Sequence, residues 1–187
     1  TNFGAGMTGG VAYVLDPGYA QFIGGGRSIT LAAAGADLGP MVAKAVAAWA
    51  TEDRTQVAVV VMRGRAARVL EVLAPGVAVA AAFSEPSTHR TIQLKGRVVA
   101  VEPLDAGHVP AVEASMEALT RDVGSIGYSA AYARTLLAFR PDDALAVRFA
   151  VGAAFLQTPG PQAGAPIGGS ATAADARAPA EPSREPR

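Results

Sequence analysis

Apolar and polar positions alternate one by one along residues 91–98. Thr91, Gln93, Lys95 and Arg97 take one parity, and Ile92, Leu94 and Val98 take the other. On a strand the two sets point to opposite faces. One face can enter a core. The other is unusually polar for the middle of an apolar domain, so it is either washed by solvent or holding something anionic and polar. A polar turn, Glu85-Pro86-Ser87-Thr88-His89, introduces the run. Upstream, residues 28–34, 41–50 and 56–62 are apolar runs joined by short polar turns, and they predict an antiparallel meander. The strongest strand is QVAVVVM at 56–62, which is β-branched and nearly all apolar.

Further along, residues 77–83 predict another strand. In residues 145–151, Leu145, Val147, Phe149 and Val151 alternate with Ala146, Arg148 and Ala150 and give a last one. Three helices are interleaved. Val69, Leu70 and Leu73 share a helical face within residues 66–73. Val109, Val112, Met116, Leu119 and Val123 recur at three- and four-residue steps. A further helix covers residues 129–137, and 103–107 is a loop. This order predicts an α+β protein: a closed six-stranded β-barrel with a short helix after the third strand and helices before the last.

The two ends read differently. Gly4, Gly6 and Gly9 spell G-x-G-x-x-G, a nucleotide-binding fingerprint only between a strand and a helix, with an acidic residue about 20 positions on. Here almost nothing precedes it, residues 11–15 read as a strand, and Asp16 comes too early. Residues 1–16 resemble the glycine-rich repeat segment near the C-terminus of the glutamate synthase large subunit. That resemblance carries no catalytic position and stops by Pro17, as a gene fusion or a misjoined reading frame would explain. After Gln157 the chain is Pro-, Ala- and Gly-rich without periodicity, the mark of a segment that buries too little to order itself. Thr158–Ala163 is read as pinned to the domain. The expected division is therefore a segment 1–18, a domain 19–163 and a disordered tail 164–187.

Composition narrows the chemistry. The 187 residues are 50% apolar and 17% charged, with 16 basic against 16 acidic side chains, which points away from an electrostatic nucleic-acid binder. The absence of cysteine removes disulfides, thiolate metal sites and a thiol nucleophile. With only His89 and His108, a histidine metal site is not expected. No apolar run approaches the roughly 20 residues that span a bilayer, and no basic region leads into an apolar core at the start. A soluble cytoplasmic protein is the expectation.

No nucleophile–base pair is visible, and Glu52-Asp53 and Asp142-Asp143 sit in turns, where acids are common. Arg63 and Arg65 precede a predicted helix whose first amides are unpaired and partly positive, an arrangement suited to phosphate. The alternative is a solvated basic turn. Arg90, Lys95 and Arg97 have a bland reading too, as guards of an edge strand.

Residues from about 20 to 163 resemble the pyridoxamine 5'-phosphate oxidase-like family of FMN-binding split β-barrels. The resemblance lies in residues 41–44, in the strand-to-helix turn 60–66, in FSEPSTHRTIQLKG (83–96) and in AFLQTPGPQAG (154–164). It implies a homodimer with FMN in a groove at the subunit interface. Basic side chains behind the third strand grip the phosphate in relatives, which maps to Arg63, Arg65 and Ala66. A relative's phosphate lysine falls at or beside Ala66, so Arg65 would have to substitute. Arg90, Thr91 and Gln93 map near the ring or ribityl chain, and Lys44 lines the ring. The substrate-binding basic residues of true pyridoxamine phosphate oxidases are missing, which speaks against vitamin B6 oxidation. The implied function is an FMN-dependent oxidoreductase moving electrons between a reduced nicotinamide or similar donor and a small-molecule acceptor. The alternative is a non-catalytic flavin- or haem-binding barrel, with His89 or His108 as haem ligands.

Overall fold

The computed structural model describes residues 13–35 and 39–168. Helix α1 (Pro17–Gly24) leads into β1 (Ser28–Ala34), β2 (Pro40–Ala50) and β3 (Gln56–Met62). Helix α2 (Arg63–Leu70) follows without a linker. Strands β4 (Ala78–Ser84) and β5 (Thr91–Pro103) form a hairpin. Helices α3 (Val109–Ser125) and α4 (Ala130–Leu136) precede the last strand, β6 (Ala144–Leu156). The six strands pair antiparallel in the order β1-β2-β3-β6-β5-β4 and close into a barrel. Closure pairs each of these strands on both sides. This is the closed six-stranded α+β barrel that the order of elements predicts.

Alternation fills the barrel. Ile29, Leu31, Val57, Val59, Val61, Phe83, Ile92, Leu94, Val147 and Phe149 point inward and are completely buried. The other face of β2 and β3 has a separate cover, because Val46, Ala47, Val60 and Met62 cluster with Val112 of α3. That second layer explains why QVAVVVM is apolar at both parities. The alternation on β5 is realised too: Ile92, Leu94 and Val98 are buried, Thr91 and Gln93 half-buried, and Lys95 and Arg97 exposed. Register shifts at Lys95/Gly96 and Val98/Ala100 bend the strand against β6. Gly96 sits at the first shift, where a Cβ would lie 2.0 Å from the Ala150 carbonyl oxygen.

Four expectations change. Tyr13, Val14 and Leu15 form no strand. They lead into α1, which begins with Asp16 as N-cap and Pro17 at the first turn, the Asp16 carboxylate accepting from the Gly18 amide at 2.8 Å. Helix α2 starts at Arg63 rather than 66 and ends at Leu70. Strand β6 runs on to Leu156, because pairing with β5 carries it past Gly152. Beyond it, Gly164 donates to the Leu156 carbonyl, Leu156 to Ala165, and Ile167 to Ala154. The chain thus stays on the barrel past residue 164, the expected start of the tail, and Ile167 is buried. The Tyr13 hydroxyl donates to the Ile167 carbonyl at 2.5 Å. The G-x-G-x-x-G at Gly4–Gly9 and residues 169–187 lie outside the described residues. Among the described residues no helix is long and apolar enough to cross a membrane.

Candidate functional site

The helices pack mainly against β2 and β3, leaving the outward side chains of β1, β4 and the first half of β5 only partly covered. Ile29, Phe83 and Ile92 point inward, so their neighbours Ser28, Ser84 and Thr91 point outward. The register then lines them up, with Ser28 opposite Ser84 and Ser84 opposite Thr91. The Lys44 ammonium on β2 donates to Ser28 Oγ at 3.0 Å. At the other end the Thr91 hydroxyl meets Ser84 Oγ at 2.9 Å, and the Thr91 amide donates to Thr158 Oγ1 at 2.9 Å. A lysine and a row of hydroxyls therefore cross four strands from β2 to β5.

Beside that row most outward side chains are small. Thr30 is opposite both Lys44 and Ala82, Ala82 is opposite Gln93, and Ala32 is opposite both Val42 and Ala80. Val42 is 64% exposed, an apolar rim to an alanine floor. Burial of its ammonium end holds the Lys44 pKa below the usual lysine range. The residue as a whole remains exposed, so solvent screens this effect.

The hairpin between β4 and β5 closes one end of the row. Arg27 bonds the Phe22 carbonyl at 3.0 Å, pairs with Glu85 at 2.8 Å and lies over the Phe22 ring. Arg90 approaches the same ring from elsewhere, 4.4 Å from its centroid, and stands 6.0 Å from that of Tyr19. Its guanidinium is thus turned onto α1. Ser87 ties the turn to α3 through its amide and hydroxyl, both bonded to the Asp122 carboxylate.

The start of α2 is arranged differently from the expectation. Arg65 donates to the Leu136 and Thr135 carbonyls at 2.6 and 3.3 Å, where it satisfies the unpaired end of α4. The Ala66 methyl is buried at 1% exposure in the barrel core, so its side chain is closed to any ligand. The Asp143 carboxylate accepts from the Gly64 amide at 3.4 Å. Arg63 is exposed, and among the described residues it has no ion-pair partner.

Of the residues singled out from sequence, the fold thus joins Lys44 to Thr91 through Ser28 and Ser84, with Gln93 in the adjacent row. It sets Arg90 against α1 and Arg63, Arg65 and Ala66 on α2. Sequence reasoning passes over Ser28, Ser84 and Thr30, whose one signal is a hydroxyl at an outward parity. It also passes over Gln56 and Arg148, which line a groove of about 470 Å³ with Thr51, Glu52 and Asp53. There Gln56 Oε1 and Arg148 Nε are buried with no hydrogen-bond partner among the described residues. Hydrogen bonds from Thr51 and Thr55 pull the Asp53 pKa down. The His108 ring stacks on Trp49, centroids 4.6 Å apart, while His89 is exposed in the hairpin turn at φ 59°. Among the described residues no group of three or more metal-ligating side chains comes together.

No protein-family profile matches the chain, and no curated protein matches it. Solved structures similar to it include tagged HupZ from Group A Streptococcus, at 12% identity and a TM-score of 0.48, covering 80% of this chain and 100% of that one. A putative pyridoxamine 5'-phosphate oxidase from Lactobacillus delbrueckii is similar at 16% identity and a TM-score of 0.46, over 76% and 93% of the two chains. An F420 reductase is similar at 15% identity and a TM-score of 0.43, over 75% and 98%.

Proposed function

We propose that this chain is a flavin-dependent oxidoreductase of the pyridoxamine 5'-phosphate oxidase-like type. It passes electrons between a reduced nicotinamide or similar donor and a small-molecule acceptor. The observation that carries the reading is the Lys44–Ser28–Ser84–Thr91 row beside the alanine floor of Ala32, Ala80 and Ala82. A planar ring system fits a surface of methyl groups, and a polyol chain fits a line of hydroxyls that both donate and accept.

The residues fit the two halves of FMN unequally. The ring and polyol suit the row and its floor. The terminal phosphate does not suit the start of α2, where Arg65 is already bonded to α4 and a carboxylate faces the Gly64 amide. A bound flavin supplies the hydride and single-electron chemistry, which explains why the protein itself needs no acid–base pair. With a flavin bound, Lys44 would place positive charge beside it and favour the added electrons. Thr91 and Gln93 would hydrogen-bond and orient it, while Arg90, packed on α1, buttresses the turn that carries Thr91.

The outward face of β1 and β4 is open on one side, and we assign its cover to a second copy of the chain. A homodimer would enclose the ring and exclude water from the electron-transfer step.

Titration of the purified protein with flavin tests the reading. Quenching of flavin fluorescence, lost in Lys44→Ala and in Thr91→Val, is the expected result, together with a dimer by light scattering. Absence of quenching, or quenching unchanged in both variants, overturns it. A Soret band from added haem that disappears in His89→Ala would favour the haem-binding alternative instead.

A further inference from the structure

The first turn of α2 is built without a cap of its own. Met62 is the N-cap residue and offers no side-chain hydrogen bond, and no acidic residue stands in the first turn. Four amides at a helix start lack intrahelical partners and carry partial positive charge. The cap comes instead from the far side of the sequence. Strand β6 begins with Ala144 opposite Met62, the last residue of β3, so Asp143 is delivered alongside the helix start. A short 3-10 turn, Pro141–Asp143, fixes it there, with the Asp143 amide bonded to the Arg140 carbonyl at 3.0 Å. Its carboxylate reaches the Gly64 amide.

We infer that the chain fills its own anion seat at the start of α2 with Asp143, so that it selects a flavin without regard to a 5'-phosphate. The inference rests on the flavin reading for its ligand, though not for the cap itself. Three features would make this turn a phosphate grip: free helix amides, Arg65 and Arg63. The Asp143 carboxylate takes the Gly64 amide, and the α4 carbonyls hold both outer nitrogens of Arg65. Arg63 alone is left, and a phosphate reaching it would stand beside a carboxylate of like charge. Repulsion from that carboxylate offsets attraction to the one guanidinium. The phosphate then adds little to what the ring and polyol contribute.

Two measurements test this on the full chain, Asp143→Asn, Asp143→Ala and Arg63→Ala. Asparagine removes the charge but keeps an acceptor for the Gly64 amide, so it guards against loss of folding. The first measurement compares riboflavin and FMN affinities by fluorescence quenching. The wild-type chain should bind both within about threefold, while the Asp143 variants should gain about tenfold for FMN and nothing for riboflavin. The second is the melting temperature in inorganic phosphate against chloride at equal ionic strength. It should be indifferent for the wild type and raised by phosphate in the Asp143 variants. A wild-type preference for FMN of about tenfold or more that Arg63→Ala abolishes overturns the inference. Should neither flavin bind, the flavin reading falls, and the phosphate measurement decides the cap alone. A wild type stabilised by phosphate, or Asp143 variants indifferent to it, would then sink it.

Discussion

The Lys44 ammonium bonds the Ser28 hydroxyl on the neighbouring strand at 3.0 Å, and burial holds its pKa below the usual lysine range. Folding thus makes this amine easier to deprotonate. Below the folded pKa both states are charged and the burial cost is fully present. As pH rises through the window up to the ordinary lysine value, the unfolded chain holds more protons and the folded state gains stability. The chain has two lysines, Lys44 and Lys95, so acylation can be followed site by site. Modification of Lys44 should set in at lower pH in the folded chain than in urea, and at still lower pH in Ser28→Ala, where the charged form loses an acceptor. Coincident folded and unfolded profiles would contradict this.

Gly96 lets β5 and β6 cross at their closest approach. A methyl group there would meet the Ala150 carbonyl oxygen at 2.0 Å and the Phe149 ring at 2.8 Å, and neither can retreat from a closed barrel. Gly96→Ala should cost about 3 kcal/mol, the upper part of the usual overpacking range. Denaturant unfolding measures it. By contrast Gly76→Ala meets no atom within 4 Å and suffers only from its left-handed backbone at φ 88°.

Trp49 is the one tryptophan of the chain, and the His108 ring lies on it at an interplanar angle of 8°. Removing the imidazole uncovers one face of the indole. His108→Ala should therefore shift Trp49 emission to the red and make it easier to quench with acrylamide. An emission maximum and quenching constant equal to those of the wild type would show that the stack does not persist in solution.

Arg65 joins α2 to the end of α4. Arg65→Ala should lower stability by about 1 kcal/mol, as expected for charge-assisted bonds to exposed carbonyls, and leave flavin affinity unchanged. Weaker flavin binding at constant stability would return Arg65 to the phosphate role that its place in the sequence suggests.

How far each feature is legible follows from its range. Residues 28–34 and 56–62 can be read to their true ends because each is a short apolar run bounded by polar or glycine-rich turns, a signal set locally. Helix α1 escapes the pattern because Pro17-Gly18 looks like a turn, although Asp16 before Pro17 is a capping signal. The second half of β6 escapes it because Gly152 and the alanines beside it have no periodicity of their own, and only pairing with β5 keeps them extended. At the candidate site, Lys44 and Thr91 stand out as polar residues on apolar strands. Ser28 and Ser84 sit at strand ends, where serine is ordinary, and register alone brings them together. The partners of Arg65 and Gly64 lie 71 and 79 positions away, a separation that no local pattern encodes.

The Tyr13–Ile167 hydrogen bond joins residues 154 positions apart, so the described polypeptide enters and leaves the barrel at one spot. Such a chain is nearly a ring. A short linker between these two points, with a new break opened at the exposed Ala74 and Pro75, would cut no pairing within the barrel. A circularly permuted protein of that kind should keep the Lys44–Thr91 face intact, because every strand that builds it retains both neighbours.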